Sequence, residues 1–264
     1  MARRRADIVL AERGLFSSRE QARAAILAGE VRIGGEPVVK AGALIDEGAD
    51  IELTARPRYV SRGGDKLAGA LDAFGIDATG LRAIDVGAST GGFTDCLLKA
   101  KAASVVALDV GYGQLAWSLR TDDRVTVLER TNIRSVDPDS IGAPFDLVVC
   151  DVSFIGLEKI LPMLVRLTSP EGRLVALVKP QFEAGKERVG KRGVVRDPRV
   201  HRDVLEHVVA CASASGLVLR GLTWSPIKGP EGNIEFWLYA ARCGSPEHVE
   251  PADVVAAAHE ALGG

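Results

Sequence analysis

From about Tyr59 onward the sequence alternates short apolar blocks with helical stretches, and this constrains the fold more than any other feature. The blocks at 83–87, 104–109, 125–128, 145–150, 174–178, 217–224 and 234–241 read as strands, and 66–74, 93–101, 114–119, 157–167 and 199–215 as helices. Parallel strands need long crossovers that are usually helical, so repeated β–α units predict an α/β domain with a mainly parallel, doubly wound sheet. Ligands of such sheets bind at the carboxyl ends of the strands. A chain of 264 residues, 47% hydrophobic and 26% charged, has room for that domain and a small companion.

The first strand end carries the run AIDVGASTGGFTDCLLKA. Asp85 and Gly87 lead into Ala88, Ser89, Thr90 and Gly91, small residues that let a backbone approach a ligand closely, and a helix follows. The loop does not match GxGxxG. The next strand ends in ALDVGYG, which places Asp109 where an acid that holds ribose hydroxyls belongs. That acid serves a dinucleotide and S-adenosylmethionine equally well, so these residues leave the cofactor open.

Residues 1–58 form the expected companion, with a linker near 55–60 containing Arg56-Pro57-Arg58-Tyr59. A helix from Ala6 to Arg13 stops at Gly14, and Ser17 or Ser18 caps a second with Ala22, Ala25 and Ile26 on its apolar side. Val31-Arg32-Ile33, a Gly34-Gly35 turn, Pro37-Val38-Val39 and Ile51-Glu52-Leu53 read as short strands. The net charge of −2 disfavours a nucleic-acid partner, but its distribution points the other way. Residues 1–40 hold eight basic groups against five acidic ones, and 179–202 hold eight against three. The second segment, with Lys186, Arg188, Lys191 and Arg192 among Gly185, Gly190 and Gly193, is expected to be a flexible RNA clamp.

Four charged residues lie at or within apolar elements. Lys66 opens the first large-domain helix, Asp151 and Lys179 end strands, and Glu235 falls inside the block Asn233-Ile234-Glu235-Phe236-Trp237. A buried lysine or glutamate is costly unless paired, so these positions require an explanation. Cys96, Cys150, Cys211 and Cys243 lack CxxC spacing and read as small hydrophobes. The four histidines show no ligand spacing, so no metal is expected. No apolar core follows the basic N-terminus, and no apolar run reaches the roughly 18 residues of a membrane helix. The expected location is cytoplasmic, with no membrane contact.

The run RADIVLAERGLFSSREQARAAILAGEVRIGGEPVVKAG resembles the S-four-type (alpha-L) RNA-binding domain. That likeness implies that Arg4, Arg5, Arg19, Arg23, Arg32 and Lys40 meet structured RNA. The set DVGASTGGF, ALDVGYGQL, DLVVCDVSF and LVALVKPQFE resembles class I (Rossmann-like) methyltransferases, and more narrowly the TlyA (haemolysin A) family, related to the FtsJ-type ribose methyltransferases. The resemblance implies S-adenosyl-L-methionine as cofactor, held by Asp85, Gly87, Ala88, Ser89, Thr90, Gly91, Asp109, Asn132 and Phe154. It implies Lys66, Asp151, Lys179 and Glu235 as a catalytic tetrad, with Lys179 as general base or orienting group. It implies 2′-O-methylation of a cytidine in 16S ribosomal RNA, 23S ribosomal RNA or both, within ribosomal subunits, with no obligate protein partner. A non-catalytic assembly factor and a pore-forming haemolysin are the alternatives; the full tetrad argues against the first and the lack of a membrane segment against the second.

Overall fold

The computed structural model describes residues 3–27, 29–53 and 58–263, and the chain divides into two compact units, Met1–Arg58 and Tyr59–Gly264. In the first unit, β1 (Arg3–Arg5) leads directly into α1 (Ala6–Glu12), which packs against α2 (Arg19–Leu27). β2 (Val31–Ile33), β3 (Glu36–Pro37), β4 (Leu44–Asp46) and β5 (Ile51–Leu53) follow. β1 pairs with β4, and β2 lies between β3 and β5. Ala6, Val9, Leu10, Ala22, Ala25, Ile26 and Val31 form its small core. β1 and β4 were not expected: three consecutive arginines and Leu-Ile-Asp carry no alternating pattern, and only their mutual ladder makes them strands.

One charge organises this unit. Asp7 is buried, and its carboxylate accepts both a fork of hydrogen bonds from Arg5 and a 2.9 Å bond from Arg19 at the start of α2. The hydrogen bond from Arg5, aided by Arg19 and opposed by burial, pulls the Asp7 carboxyl from 3.8 down to about 2. A depressed carboxylate stabilises the fold above its unfolded value, and that contribution disappears as pH falls from 3.8 through about 2. Asp7→Asn is therefore expected to destabilise this unit by about 1–3 kcal/mol at neutral pH. Hydrogen exchange should speed up in α1 and α2 and stay unchanged in the second unit.

The second unit opens with α3 (Arg62–Ala73), then β6 (Arg82–Val86), α4 (Gly92–Lys99), β7 (Ser104–Leu108), α5 (Trp117–Arg120) and β8 (Val125–Leu128). β9 (Phe145–Cys150), α6 (Leu161–Leu167), β10 (Thr168–Val178), α7 (Pro180–Glu183), α8 (Pro198–Ala214), β11 (Val218–Trp224), β12 (Phe236–Ala241) and α9 (Pro251–Leu262) complete it. The seven strands lie in the order β11-β12-β10-β9-β6-β7-β8, doubly wound as expected. β12 runs antiparallel to both neighbours, and the other contacts are parallel. Apolar clusters cover both faces of the sheet, which is why its strands read as near-continuous apolar runs.

The reversed strand matters for what lies at its end. Phe236 of β12 faces Val178 of β10, so Glu235 arrives at the sheet edge where Lys179 leaves it. Glu235 accordingly precedes β12 rather than lying inside a strand. α3 likewise starts a turn before Lys66, because Gly63 and Gly64 permit close packing; a Cβ on Gly64 would lie 2.2 Å from the Tyr59 ring. Cys96 and Cys150 are core residues as expected, whereas Cys211 is half-exposed and Cys243 exposed. His201 of α8 contacts His259 of α9 at 2.9 Å and donates through its other nitrogen to Val195 O. That contact holds the C-terminal helix on α8, and burial lowers His201 to about 4.

Candidate active site

The carboxyl ends of β6, β7 and β9 enclose a cleft with two lobes that share Gly87, Ser89 and Asp151. One lobe, of about 440 Å³, is lined by Asp109, Val110, Gln114, Asn132, Ile133, Ser153 and Phe154 among others. The other, of about 480 Å³, is lined by Arg62, Lys66, Ala88, Thr90, Phe93 and Lys228 among others. Both volumes suit a small ligand.

The loop after β6 is shaped by close backbone approach. Gly87 has φ +91°, and a Cβ there would sit 2.4 Å from Asp151 O, so glycine alone lets the two strand ends touch. Ser89 adopts φ +48°, and its N–H donates 2.7 Å to Asp109 Oδ2. Gly111 N–H donates to the other oxygen at 2.6 Å, so the loop itself orients the Asp109 carboxylate. Asn132 accepts the Arg134 N–H and lines the same lobe. Phe154 has φ +66° and is 90% exposed at the mouth, its ring 5.1 Å from that of Phe182. The left-handed region is unusual for a bulky residue, and such strain clusters at functional sites.

Two of the residues expected to reach a cofactor line neither lobe. Gly91, with φ +95°, opens α4 and faces Leu115 and Leu119, where a Cβ would clash; its role is packing. Asp85 is fully buried beneath the loop and accepts from both the N–H and the hydroxyl of Thr94. Among the described residues its Oδ1 has no hydrogen-bond partner. Burial, with Asp151 and Asp109 adding to it and Thr94 opposing, raises its carboxyl from 3.8 to about 7.

The four charged residues form two ion pairs at this cleft. Lys66 Nζ lies 2.5 Å from Glu235 Oε2, both nearly inaccessible. Lys179 Nζ lies 2.5 Å from Asp151 Oδ1, close but not aligned as a hydrogen bond, and donates to Ser153 Oγ at 2.9 Å. Asp151 and Lys66 line one lobe, which brings the pairs to a single cleft. Gly229 allows this too, since a Cβ there would lie 2.2 Å from Glu235 Oε1. Ser153, Arg62 and Lys228 escaped the sequence reading; Ser153 stands two residues from Asp151, whereas the other two had no signal beyond charge.

The arginines of the first unit are largely engaged: Arg4 with Glu12 and Glu47, Arg5 and Arg19 with Asp7, and Arg32 with Gly35 O. Arg23 and Lys40 lie on α2 and after β3. The basic segment expected to be flexible is instead built from two 3₁₀ turns, Lys186–Arg188 and Lys191–Gly193. Arg188 donates to Asp203, while Asn233 accepts Val195 N–H and donates to Gly193 O. Gly185 and Gly193 adopt positive φ at these turns, and buried Val194 and Val195 anchor the exit.

Comparison with known proteins agrees with this geometry. The profile of the FtsJ-like methyltransferase family matches residues 59–242, and that of the S4 domain matches 4–51. The 16S/23S rRNA (cytidine-2′-O)-methyltransferase TlyA of Mycobacterium tuberculosis is 53% identical over 90% of each chain. Hemolysin A of Brachyspira hyodysenteriae is 39% identical over 88% of this chain and 97% of its own. A solved Streptococcus thermophilus structure with a hemolysin name, 44% identical, matches with a TM-score of 0.77 over 100% of this chain and 98% of that one. The chain belongs to the TlyA family of FtsJ-like methyltransferases. Its large unit has the Rossmann-like methyltransferase fold, its small unit is an S4 domain, and its cofactor is S-adenosyl-L-methionine. The lobe fits that cofactor: an oriented acid for ribose hydroxyls, apolar Val110 and Ile133, and small loop residues. Among the described residues no helix is long and apolar enough to cross a membrane.

A raised carboxyl costs stability once it ionises, so Asp85 stabilises the fold less as pH rises from 3.8 through about 7. Asp85→Asn should remove that slope. Thermal melts from pH 4 to 8 should show the variant gaining on wild type by on the order of a few kcal/mol, most of it by pH 7.

Proposed function

We propose that the chain transfers a methyl group from S-adenosyl-L-methionine to the 2′-hydroxyl of a cytidine in 16S and 23S ribosomal RNA, acting on ribosomal subunits in the cytoplasm. The observation that carries the reading is the pair of lysine–carboxylate contacts, Lys179–Asp151 and Lys66–Glu235, at the cofactor cleft. When bound, S-adenosyl-L-methionine supplies an electrophilic methyl group on a sulfonium; Gly87, Ser89, Asp109 and Asn132 would hold it. Alignment of the acceptor provides much of the acceleration.

A ribose hydroxyl must lose its proton as it attacks. Lys179 Nζ, fixed by Asp151 and Ser153, orients that hydroxyl, and the proton lost on attack passes to the Asp151 carboxylate, so that the coupled pair as a whole takes it up. Glu235 holds Lys66 in the neighbouring lobe, where its ammonium and the side chains of Arg62 and Lys228 face the acceptor's phosphates. The S4 domain supplies Arg4, Arg5, Arg19, Arg23, Arg32 and Lys40 for structured RNA. The Arg4 pairs with Glu12 and Glu47 are exposed, worth little, and exchange readily for phosphate. The ordered segment with Lys186, Arg188, Lys191 and Arg192 adds a second phosphate contact.

Tritiated methyl transfer to intact subunits tests this reading. Lys179→Ala is expected to lower turnover by roughly 10²–10⁴-fold with cofactor affinity retained. Ser153→Ala should cost less, since it removes one support of Lys179 while leaving Asp151. Full activity of Lys179→Ala would remove Lys179 from the chemistry, whereas equal phenotypes for the variant and wild type with no label transferred by either would favour a binding-only assembly role. Replacing Lys186, Arg188, Lys191 and Arg192 by alanine should weaken RNA binding and flatten its salt dependence; unchanged slopes would remove the segment from the interface.

A further inference from the structure

Away from the catalytic cleft, α8 carries His207 and Cys211 one turn apart on one face, and the 3₁₀ turn Leu157–Lys159 brings Glu158 to them. His207 Nε2 is 3.2 Å from Glu158 Oε2 and 3.6 Å from Cys211 Sγ. The three ligand atoms lie within 4.8 Å of one another. A tetrahedral zinc, with bonds of about 2.0 Å to nitrogen and oxygen and about 2.3 Å to sulfur, spaces its ligand atoms about 3.4 Å (N to O) and about 3.6 Å (N to S) apart. The two measured edges match both values. A histidine–glutamate hydrogen bond accounts for the first edge, and helical spacing sets Cys211 beside the ring, 3.6 Å from Nε2 and 4.0 Å from Nδ1; the metal reading rests on the convergence of all three groups.

We propose that Glu158, His207 and Cys211 form a site for a borderline-soft divalent transition metal, zinc above all, with the fourth position left to water or an exchangeable ligand. The mixed N, S, O set selects against magnesium and calcium, which prefer oxygen ligands. The turn is itself well seated, because Glu183 accepts the Leu157 N–H at 2.9 Å. Metal at this place clamps the segment that follows Asp151 onto α8, which also anchors the basic segment through Arg188 and Asp203. In the sequence the site shows only as His-x₃-Cys on one helix, without the remote Glu158.

Cobalt(II) is the direct probe, because a Co–thiolate bond gives an intense near-ultraviolet band and a tetrahedral site gives visible d–d bands. The full-length protein, stripped with chelator, should take up one equivalent with both signatures, and zinc should bleach them. Cys211→Ser should abolish the near-ultraviolet band, His207→Gln should weaken binding at least tenfold, and Cys243→Ser should leave the spectrum unchanged. Melting in chelator should be the same for all variants, with zinc raising the melting temperature of wild type and Cys243→Ser only. Absence of a thiolate band at one equivalent overturns the proposal. So does a band that survives Cys211→Ser, which would mean capture by the exposed Cys243.

Discussion

Two lysines and two carboxylates at the carboxyl edge of a sheet with both faces covered are the constraint around which the large unit is arranged. An isolated ammonium or carboxylate at such depth is too costly to keep, so each must meet a partner of opposite sign. The pairings observed, Lys179 with Asp151 and Lys66 with Glu235, join residues from four separate elements. Replacing a paired group leaves its partner buried and unmatched, so this edge of the sheet is specified by charge as much as by packing. Such pairs add little net stability compared with apolar packing, which makes their presence an argument for chemistry.

Topology makes the pairing possible. Only a strand running against its neighbours can start at the edge where the parallel strands end, and β12 does so, carrying Glu235 to Lys179 and towards Lys66. Glycine does the rest: Gly87 lets the β6 loop touch Asp151, and Gly229 makes room for Glu235. Asp85 lies beneath this assembly with one oxygen unpartnered among the described residues and a carboxyl raised to about 7, a cost tolerated where the loop above must hold Asp109 in one orientation.

Much of this was legible in the sequence because buried parallel strands are continuous apolar runs, and a charge at the end of one stands out. The doubly wound sheet, the loop after β6, Asp109, Asp151 and Lys179 were found on that ground, Glu235 as a charge within an apolar block, and Lys66 at the opening of a helix. What escaped depended on partners remote in sequence. β1 and β4 are strands only because they pair with each other, and the direction of β12 is invisible to periodicity. Gly91 and Asp85 carry the same letters whether they face a ligand or the core, and the structure turns both away from the cleft. The glycines between Lys179 and Arg196 suggested mobility, whereas Asn233, far along the chain, fixes that segment.

The central claim is that the methyl group ends on a ribose oxygen, because a hydroxyl is a weak nucleophile that must lose its proton as it attacks, and the charged pairs at the sheet edge are placed to orient it and take that proton. Alkaline hydrolysis of tritium-labelled ribosomal RNA tests it directly. A 2′-O-methyl group removes the hydroxyl that cleaves the adjacent phosphodiester, so the account predicts label in an alkali-resistant dinucleotide beginning with cytidine. Label recovered in mononucleotides would place the methyl group on a base and contradict the account.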